Sequence, residues 1–402
     1  MATIKPFNGV RYSAAEMTKL ICPPYDVISK EERLRLTKKS SNNMVNIELP
    51  AAMGSRNKYQ NAASVFKQWQ HNGIMLEDGI PSFYLYEQAF NDHGKKAVRY
   101  GFFAALKLEN PHTGAVKPHE KTLAKPKADR LSLLRTVKAN LSPIFGLFGD
   151  KKSVFTAISA KIKRTTPDST AKDSEGTVHK LWRIEDTASC KALMKLLAGQ
   201  NVFIADGHHR YETAWNYSQE MSKKHGKDVA AEYNYVMAFL CPMQDKGLVI
   251  WPTHRVAALP AGLEANIEKN FNVLPEKDFA KLSLKSPQPL KVVINGKAST
   301  LTVKNKNILV KAMPDKCGAY RELGVSILHS LLFANVDPAT ITYVKDEKEA
   351  VVLAKKTCRI AVIVPPTPMK AIEDIALAGQ VMPQKSTYFF PKVATGIVIH
   401  KV

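Results

Sequence analysis

The segment Val202-Phe203-Ile204-Ala205-Asp206-Gly207-His208-His209-Arg210-Tyr211-Glu212-Thr213-Ala214 concentrates residues able to do chemistry. Its apolar start reads as a buried strand ending at Ala205. Asp206-Gly207 reads as a tight turn, and a helix begins at His208. The first backbone N–H groups of a helix have no intrahelical partner, and the helix dipole adds partial positive charge there. His208, His209 and Arg210 add side-chain donors to the same end. A strand–turn–helix of this kind holds phosphate. Gly207 lets a ligand approach the backbone closely, and Asp206 can hold Mg²⁺ beside phosphate oxygens. The plainer alternative makes Asp206 a helix cap and the histidines surface groups, but three donors in one first turn favour the anion site. Adjacent His208 and His209 diverge on a helix, which disfavours a two-histidine metal site, although His208 and Glu212 share a face.

A second segment, Val116-Lys117-Pro118-His119-Glu120-Lys121-Thr122, sets a carboxylate beside a histidine in a proline-rich loop. Glu120 there can act as a general base on a substrate hydroxyl, against the plainer reading of a solvated loop glutamate. Three further segments offer polar groups: Cys22-Pro23-Pro24-Tyr25-Asp26, Pro252-Thr253-His254-Arg255, and Met382 through Lys392, which contains Lys385, Ser386 and Thr387. Taken singly, each of these reads as structural.

The elements that must position these residues alternate between strand and helix. Helical spacing covers Glu31–Lys39 and Asn57–His71. Strand-like runs at Ser82–Phe90 and Val98–Leu108 flank the turn residues Asn91-Asp92-His93-Gly94, a hairpin pattern. Asn110–Asp129 reads as a polar loop, with a helix from Ala128 to Asn140. Lys161–Gly176 is the most linker-like stretch and reads as a mobile surface insertion. A helix at Thr187–Ala198, the strand Asn201–Ala205, the helix His208–Lys224 and strands at Tyr235–Leu240 and Leu248–Ile250 follow. Short strands are expected at Lys291–Ile294, Thr300–Val303 and Ile308–Ala312, then a helix at Val325–Phe333. Beyond it come a strand at Ile341–Tyr343, a helix at Glu347–Ala354, a strand at Arg359–Val364 and a helix at Met369–Ala378. Tyr388–Phe390 and Gly396–His400 read as closing strands. This alternation gives an α/β (α+β) fold class. Three regions are expected: 1–110, 111–260 with an insertion near 161–176, and 261–402.

Composition narrows the classes. The 402 residues are 45% hydrophobic and 23% charged, which excludes wholesale disorder. Five scattered cysteines without a Cys-x-x-Cys pair indicate neither a disulfide framework nor structural zinc. No apolar run reaches membrane-spanning length, and the start lacks a secretory h-region, so a cytoplasmic setting is expected. P-loop, protein-kinase, H-E-x-x-H and G-x-S-x-G patterns are absent. The net charge of +22 predicts attraction to phosphorylated ligands or polyanions. Its lysines are spread over runs such as Lys161–Arg164, Lys223–Lys227, Lys304–Lys311 and Lys355-Lys356, not gathered on one recognition element.

Together the segments resemble a bacterial-type family, the domain of unknown function numbered 1015. Its P-P-Y-D, H-E-x-T, I-A-D-G-H-H-R-Y-E-T-A, P-T-H-R and M-P-x-K-S-T-Y-F-x-P-K patterns match Pro23–Asp26, His119–Thr122, Ile204–Ala214, Pro252–Arg255 and Met382–Lys392, in order. The Asp206–Arg210 block in turn resembles the ParB/sulfiredoxin-like superfamily, which implies a nucleotide-binding core with additional α/β regions on either side. His208 stands where sulfiredoxins carry their cysteine, which disfavours reductase chemistry. The α/β C-terminal third disfavours a partition-protein role. The superfamily's free serine kinases fit best, and the resemblance implies an enzyme of amino-acid metabolism, in cysteine biosynthesis, with ATP or ADP as donor, Mg²⁺ as cofactor and L-serine as acceptor. On that resemblance Glu120 deprotonates the hydroxyl and Asp206 serves metal or substrate. Gly207, His208, His209, Arg210, Lys385, Ser386 and Thr387 contact nucleotide phosphate, and Asp26, His119, Thr122, His254 and Arg255 contact substrate. The alternatives are a nucleotide-binding regulator or nucleic-acid-binding ParB-like protein, and a different phosphate-dependent enzyme.

Overall fold

The computed structural model describes every residue except 112, 121, 123 and 227, and the side chains of 124 and 125 as well are left undescribed. Lys121 of the H-E-x-T segment and Lys227 of the basic run therefore lie outside the described residues. The chain forms two compact units. The first comprises Met1–Pro118, Thr122–Val249 and Pro391–Val402, and the second His119–Lys121 and Ile250–Phe390. The sequence reading expects three regions instead. The fold class is mixed α/β, with several sheets and many helices.

The first unit is built on a nine-stranded sheet. Its strands are β1 (Ile4–Lys5), β2 (Phe83–Asp92), β3 (Lys95–Lys107), β4 (Val116–Lys117), β5 (Ile144–Phe148), β6 (Ser169–Lys172), β7 (Val178–Ile184), β8 (Val202–Asp206) and β9 (Tyr235–Pro242). They lie in the order β4-β8-β5-β9-β3-β2-β7-β6, with β1 also paired to β3. The β2–β3 hairpin closes through His93 and Gly94, both at positive φ (48° and 90°). That is the two-residue turn whose twist suits adjoining antiparallel strands. β8 runs parallel to β4 and antiparallel to β5, which sets it inside the sheet and explains its unbroken apolar run.

Helices of this unit carry local start signals. α1 (Lys30–Lys39) is capped by Ser29, and α2 (Lys58–His71) by an Asn57–Gln60 capping box. α3 (Ala124–Val137), α4 (Val154–Ile162), α5 (Thr187–Leu197) and α6 (His208–His225) follow. Phe83, Phe102, Phe148, Phe155, Leu193, Ile204, Tyr211 and Leu240 belong to one buried cluster. α6 is thus anchored on its Tyr211 face while its N-terminus emerges at the end of β8.

The second unit carries a six-stranded sheet of β10 (His254–Ala257), β11 (Phe271–Pro275), β12 (Leu290–Ile294), β13 (Lys297–Val303), β14 (Thr342–Val344) and β15 (Ile360–Ile363), in the order β11-β13-β12-β15-β10-β14. α7 (Lys306–Ala312), α8 (Glu347–Lys356) and α9 (Met369–Leu377) belong to it. Val256, Val293, Val344, Ala350, Ala354, Ala361 and Ile363 form its core cluster.

Three local expectations are corrected. The stretch 161–176 is not an unstructured insertion: it holds the end of α4 and then β6, which pairs with β7. Residues 308–312 lie in the helix α7, not in a strand. A five-residue apolar run is ambiguous between the two states. The helix expected from Ala128 already begins at Ala124.

Candidate functional site

Two clusters of the expected residues form, one in each unit. In the first unit, β8 delivers Asp206 to the end of the sheet, and Gly207 turns the chain at φ 87°. A Cβ on Gly207 would meet the Arg210 guanidinium at 3.1 Å, so glycine fits on two counts. The helix then starts without a side-chain cap, its first return bond running from Tyr211 N–H to the Gly207 carbonyl at 2.9 Å. His208 is buried within this first turn and His209 is half-buried.

Asp206 is held between two cations. Its Oδ2 lies 3.2 Å from Arg210 Nη2 and its Oδ1 lies 3.3 Å from Lys392 Nζ. Burial alone would raise this carboxyl, but Lys392, Arg210 and His208 outweigh it and hold it well below the usual carboxylate range. The opposing effects on Arg210 are burial, which lowers it, and Asp206, Asp26, Tyr25 and Glu48, which together raise it. Asp26 thus acts on Arg210 through its charge. It sits in the single turn Tyr25–Val27 that follows the two prolines. The Tyr25 ring lies 4.3 Å under the Arg130 guanidinium, and burial raises its hydroxyl to about 12.

Lys392 had no role in the sequence reading, and the structure explains how it reaches Asp206. Gln88 Nε2 donates to the Lys392 carbonyl at 3.0 Å, and Arg99 Nη2 donates to the Pro391 carbonyl at 2.6 Å. Arg99 also donates to Gln88 Oε1, and its guanidinium lies 4.8 Å from the Phe145 ring centroid. Both Gln88 and Arg99 are fully buried. This pair grips consecutive backbone carbonyls and so fixes where the Lys392 side chain begins. The sequence signal for Lys392 is its place at the end of the Met382–Lys392 pattern; nothing local marks Gln88 and Arg99 as its holders.

Thr122 and Glu212 are fastened to each other: the Thr122 hydroxyl donates to the Glu212 carboxylate at 2.9 Å, and Lys127 reaches it at 2.7 Å. Among the described residues, no group of three or more His, Cys, Asp or Glu is placed to hold a metal. With a cation on each oxygen, Asp206 does not fit a resident Mg²⁺.

In the second unit, His119 is fully buried, and its Nε2 lies 3.2 Å from Thr387 Oγ1. Met382 N–H donates to the His119 carbonyl at 2.7 Å, and Glu120 bridges in parallel to Met382. Glu120 Oε1 accepts the Lys385 N–H at 3.1 Å. Lys385 has a φ of 57°, uncommon for a residue with a Cβ. The carbonyl side of that turn is held too: Arg255 Nη2 donates to the Gln384 and Lys385 carbonyls at 3.2 and 3.1 Å. The Ser386 hydroxyl donates to the Pro383 carbonyl at 2.6 Å. The Lys385 side chain remains exposed, whereas Ser386 and Thr387 are buried.

His254 and Arg255, read from sequence as substrate contacts, are 3% and 0% exposed. Burial pulls the His254 ring down to about 4 and the Arg255 guanidinium to about 10. His254 Nδ1 receives the Val364 N–H at 3.4 Å. Here both residues act as framework, and Arg255 sets the shape of the Lys385 turn.

A family model described as "Protein of unknown function (DUF1015)" matches residues 4–326. The chain belongs to this family. No curated protein matches it. Solved structures similar to it include a free serine kinase in complex with AMP, at 10% identity and TM-score 0.37, covering 68% of this chain and 83% of that one. SbnI with C-terminal truncation from Staphylococcus aureus is similar at 8% identity and TM-score 0.39, covering 73% and 85%. A conserved hypothetical protein from Pyrococcus furiosus is similar at 12% identity and TM-score 0.36, covering 69% and 89%. Among the described residues no helix is long and apolar enough to cross a membrane.

Proposed function

We propose that the chain is a small-molecule kinase that moves a phosphoryl group from ATP or ADP to the hydroxyl of free L-serine, giving O-phospho-L-serine. The observation that carries this reading is the uncapped start of α6, where Arg210 and Lys392 are both held on the single carboxylate of Asp206. Phosphoryl transfer asks mostly for positioning and neutralisation of charge. Incoming phosphate oxygens take over Arg210 and Lys392 from Asp206, and the first N–H groups of α6 with His208 and His209 complete the cradle. The Gly207 turn lets the phosphate come close to the backbone.

In the reaction, the serine oxygen bonds to the transferred phosphorus and the bond to the leaving nucleotide phosphate breaks. Glu120 takes the hydroxyl proton. On the turn that Glu120 and Arg255 hold, the exposed Lys385 side chain is the group open to a ligand. Magnesium belongs to this proposal only as the counter-ion that a nucleotide carries.

The test is nucleotide consumption by the purified full chain with a panel of small alcohols and Mg²⁺, with ATP, ADP or pyrophosphate as donor. Turnover that depends on serine supports the reading. Consumption without any alcohol, or no phosphorylated product from the panel, refutes it.

A further inference from the structure

The first unit holds a cavity that shares only Arg210 with the proposed phosphate cradle. Its volume is about 50 Å³. One water needs roughly 10–15 Å³, so the space admits several waters or one small solute. Its polar lining is Glu48, Arg130, Ser142, Arg210 and Thr213, with Asn140, and the remaining walls are leucine, alanine and valine. Arg210 thus belongs both to this cavity and to the Asp206 cluster. Arg210 and Thr213 stand three residues apart on α6, on one helix face.

The polar groups are deeply placed. Glu48 is 1% exposed, Arg130 6% and Thr213 3%. The Ser142 hydroxyl donates to Glu48 Oε1 at 3.0 Å, and Arg130 Nη1 stands 3.8 Å from the same oxygen. Arg130 spends three of its N–H groups, one on the Glu48 carbonyl and two on Asp129. A guanidinium has five, so two remain. The Thr213 hydroxyl is buried with no hydrogen-bond partner, a condition that native interiors rarely tolerate.

These features choose among ligands. An apolar solute would leave the Thr213 hydroxyl and the two remaining Arg130 N–H groups unpaired. A simple anion would face the Glu48 carboxylate, and a simple cation would face Arg130. A compact zwitterion satisfies both signs at once, and its volume suits the cavity. We propose that this cavity binds a free α-amino acid as its zwitterion, with the ammonium on Glu48, the carboxylate on Arg130 and the Thr213 hydroxyl bonded to the ligand. Its role as the acceptor subsite rests on the kinase reading; the binding itself does not.

Isothermal calorimetry on the full chain without nucleotide tests it, with four probes: L-serine, glycine, ethanolamine, which lacks the carboxylate, and 3-hydroxypropionate, which lacks the ammonium. Serine and glycine are expected to bind, and the other two at least about tenfold more weakly. Thr213→Val is expected to weaken serine about tenfold, one hydrogen bond's worth, and Glu48→Gln, which removes the charge that meets the ammonium, at least as much. Two variants guard against one that fails to fold. Equal serine affinity in wild type and both variants, or no binding of either amino acid, overturns the proposal. Amino-acid binding without phosphorylation of any alcohol upholds the cavity and refutes the kinase. Phosphorylation of ethanolamine and 3-hydroxypropionate as readily as serine upholds the kinase and refutes the cavity.

Discussion

Replacing Asp206 with asparagine keeps the shape of the side chain and removes its charge. Two cations then lose their shared counter-ion, with side chains only 11% exposed for Arg210 and 13% for Lys392. At about 3.3 Å and an effective dielectric of about 20, each contact is worth roughly 5 kcal/mol of gross Coulomb energy, most of it offset by desolvation. Removing one partner of a buried pair costs about 3–5 kcal/mol. Because Asp206 keeps 22% of its side chain exposed, the lower end applies, about 3 kcal/mol at pH 7. The sign of the pH dependence follows from the depressed carboxyl. Its contribution is complete above the unfolded value of about 3.9 and is lost as pH falls toward the folded one. At pH 3 the unfolded chain already holds most of a proton there, so the gap between wild type and Asp206→Asn narrows by about 1 kcal/mol. Hydrogen exchange of the α6 amides reads this locally. A gap below about 1 kcal/mol at pH 7, or one that widens at pH 3, would sink the argument that Asp206 is the counter-ion of both cations.

Other perturbations have equally definite outcomes. Gly207→Ala places a Cβ at positive φ and 3.1 Å from the Arg210 guanidinium. It should cost about 1–2 kcal/mol by the same exchange measurement and weaken AMP binding at least about tenfold. Gln88→Leu releases the Lys392 carbonyl and one acceptor of Arg99, so urea unfolding of the first unit should lose about 2–4 kcal/mol; unchanged stability would mean that the grip is not needed. His254 sits at about 4 when folded, against about 6.5 unfolded, so it must stay neutral in the native second unit. Stability there should fall as pH drops from about 6.5 to 4, by up to about 3 kcal/mol. His254→Phe should flatten that slope, leaving the part due to His329, which burial also pulls down to about 4.

The helix start was readable because its signal is local: an apolar strand, Asp206-Gly207 and three donors occupy neighbouring positions. Chain alternation gave the α/β class for the same reason, since both hydrophobic periods are short-range properties. What sequence hid is long-range or depends on burial. Lys392 meets Asp206 because Gln88 and Arg99, some 300 residues away, hold its backbone. His254 and Arg255 look like donors for a ligand until the structure shows them enclosed, with Arg255 committed to carbonyls. The edge strand β6 was concealed by its polar composition, Ser-Thr-Ala-Lys. The proposed amino-acid cavity joins Arg210 and Thr213 of the central motif to Glu48, Arg130 and Ser142, which lie in no motif.

The central claim is transfer of phosphate to serine, and ³¹P NMR of the reaction mixture addresses it most directly. Wild-type protein with L-serine, Mg²⁺ and ATP or ADP should yield the O-phosphoserine resonance as nucleotide is consumed. Glu120→Ala, which removes the base, and Lys392→Ala, which removes a phosphate-binding cation, should each yield none while their circular dichroism matches wild type. Wild-type spectra without that resonance under every donor, or full turnover by either variant, would contradict the account.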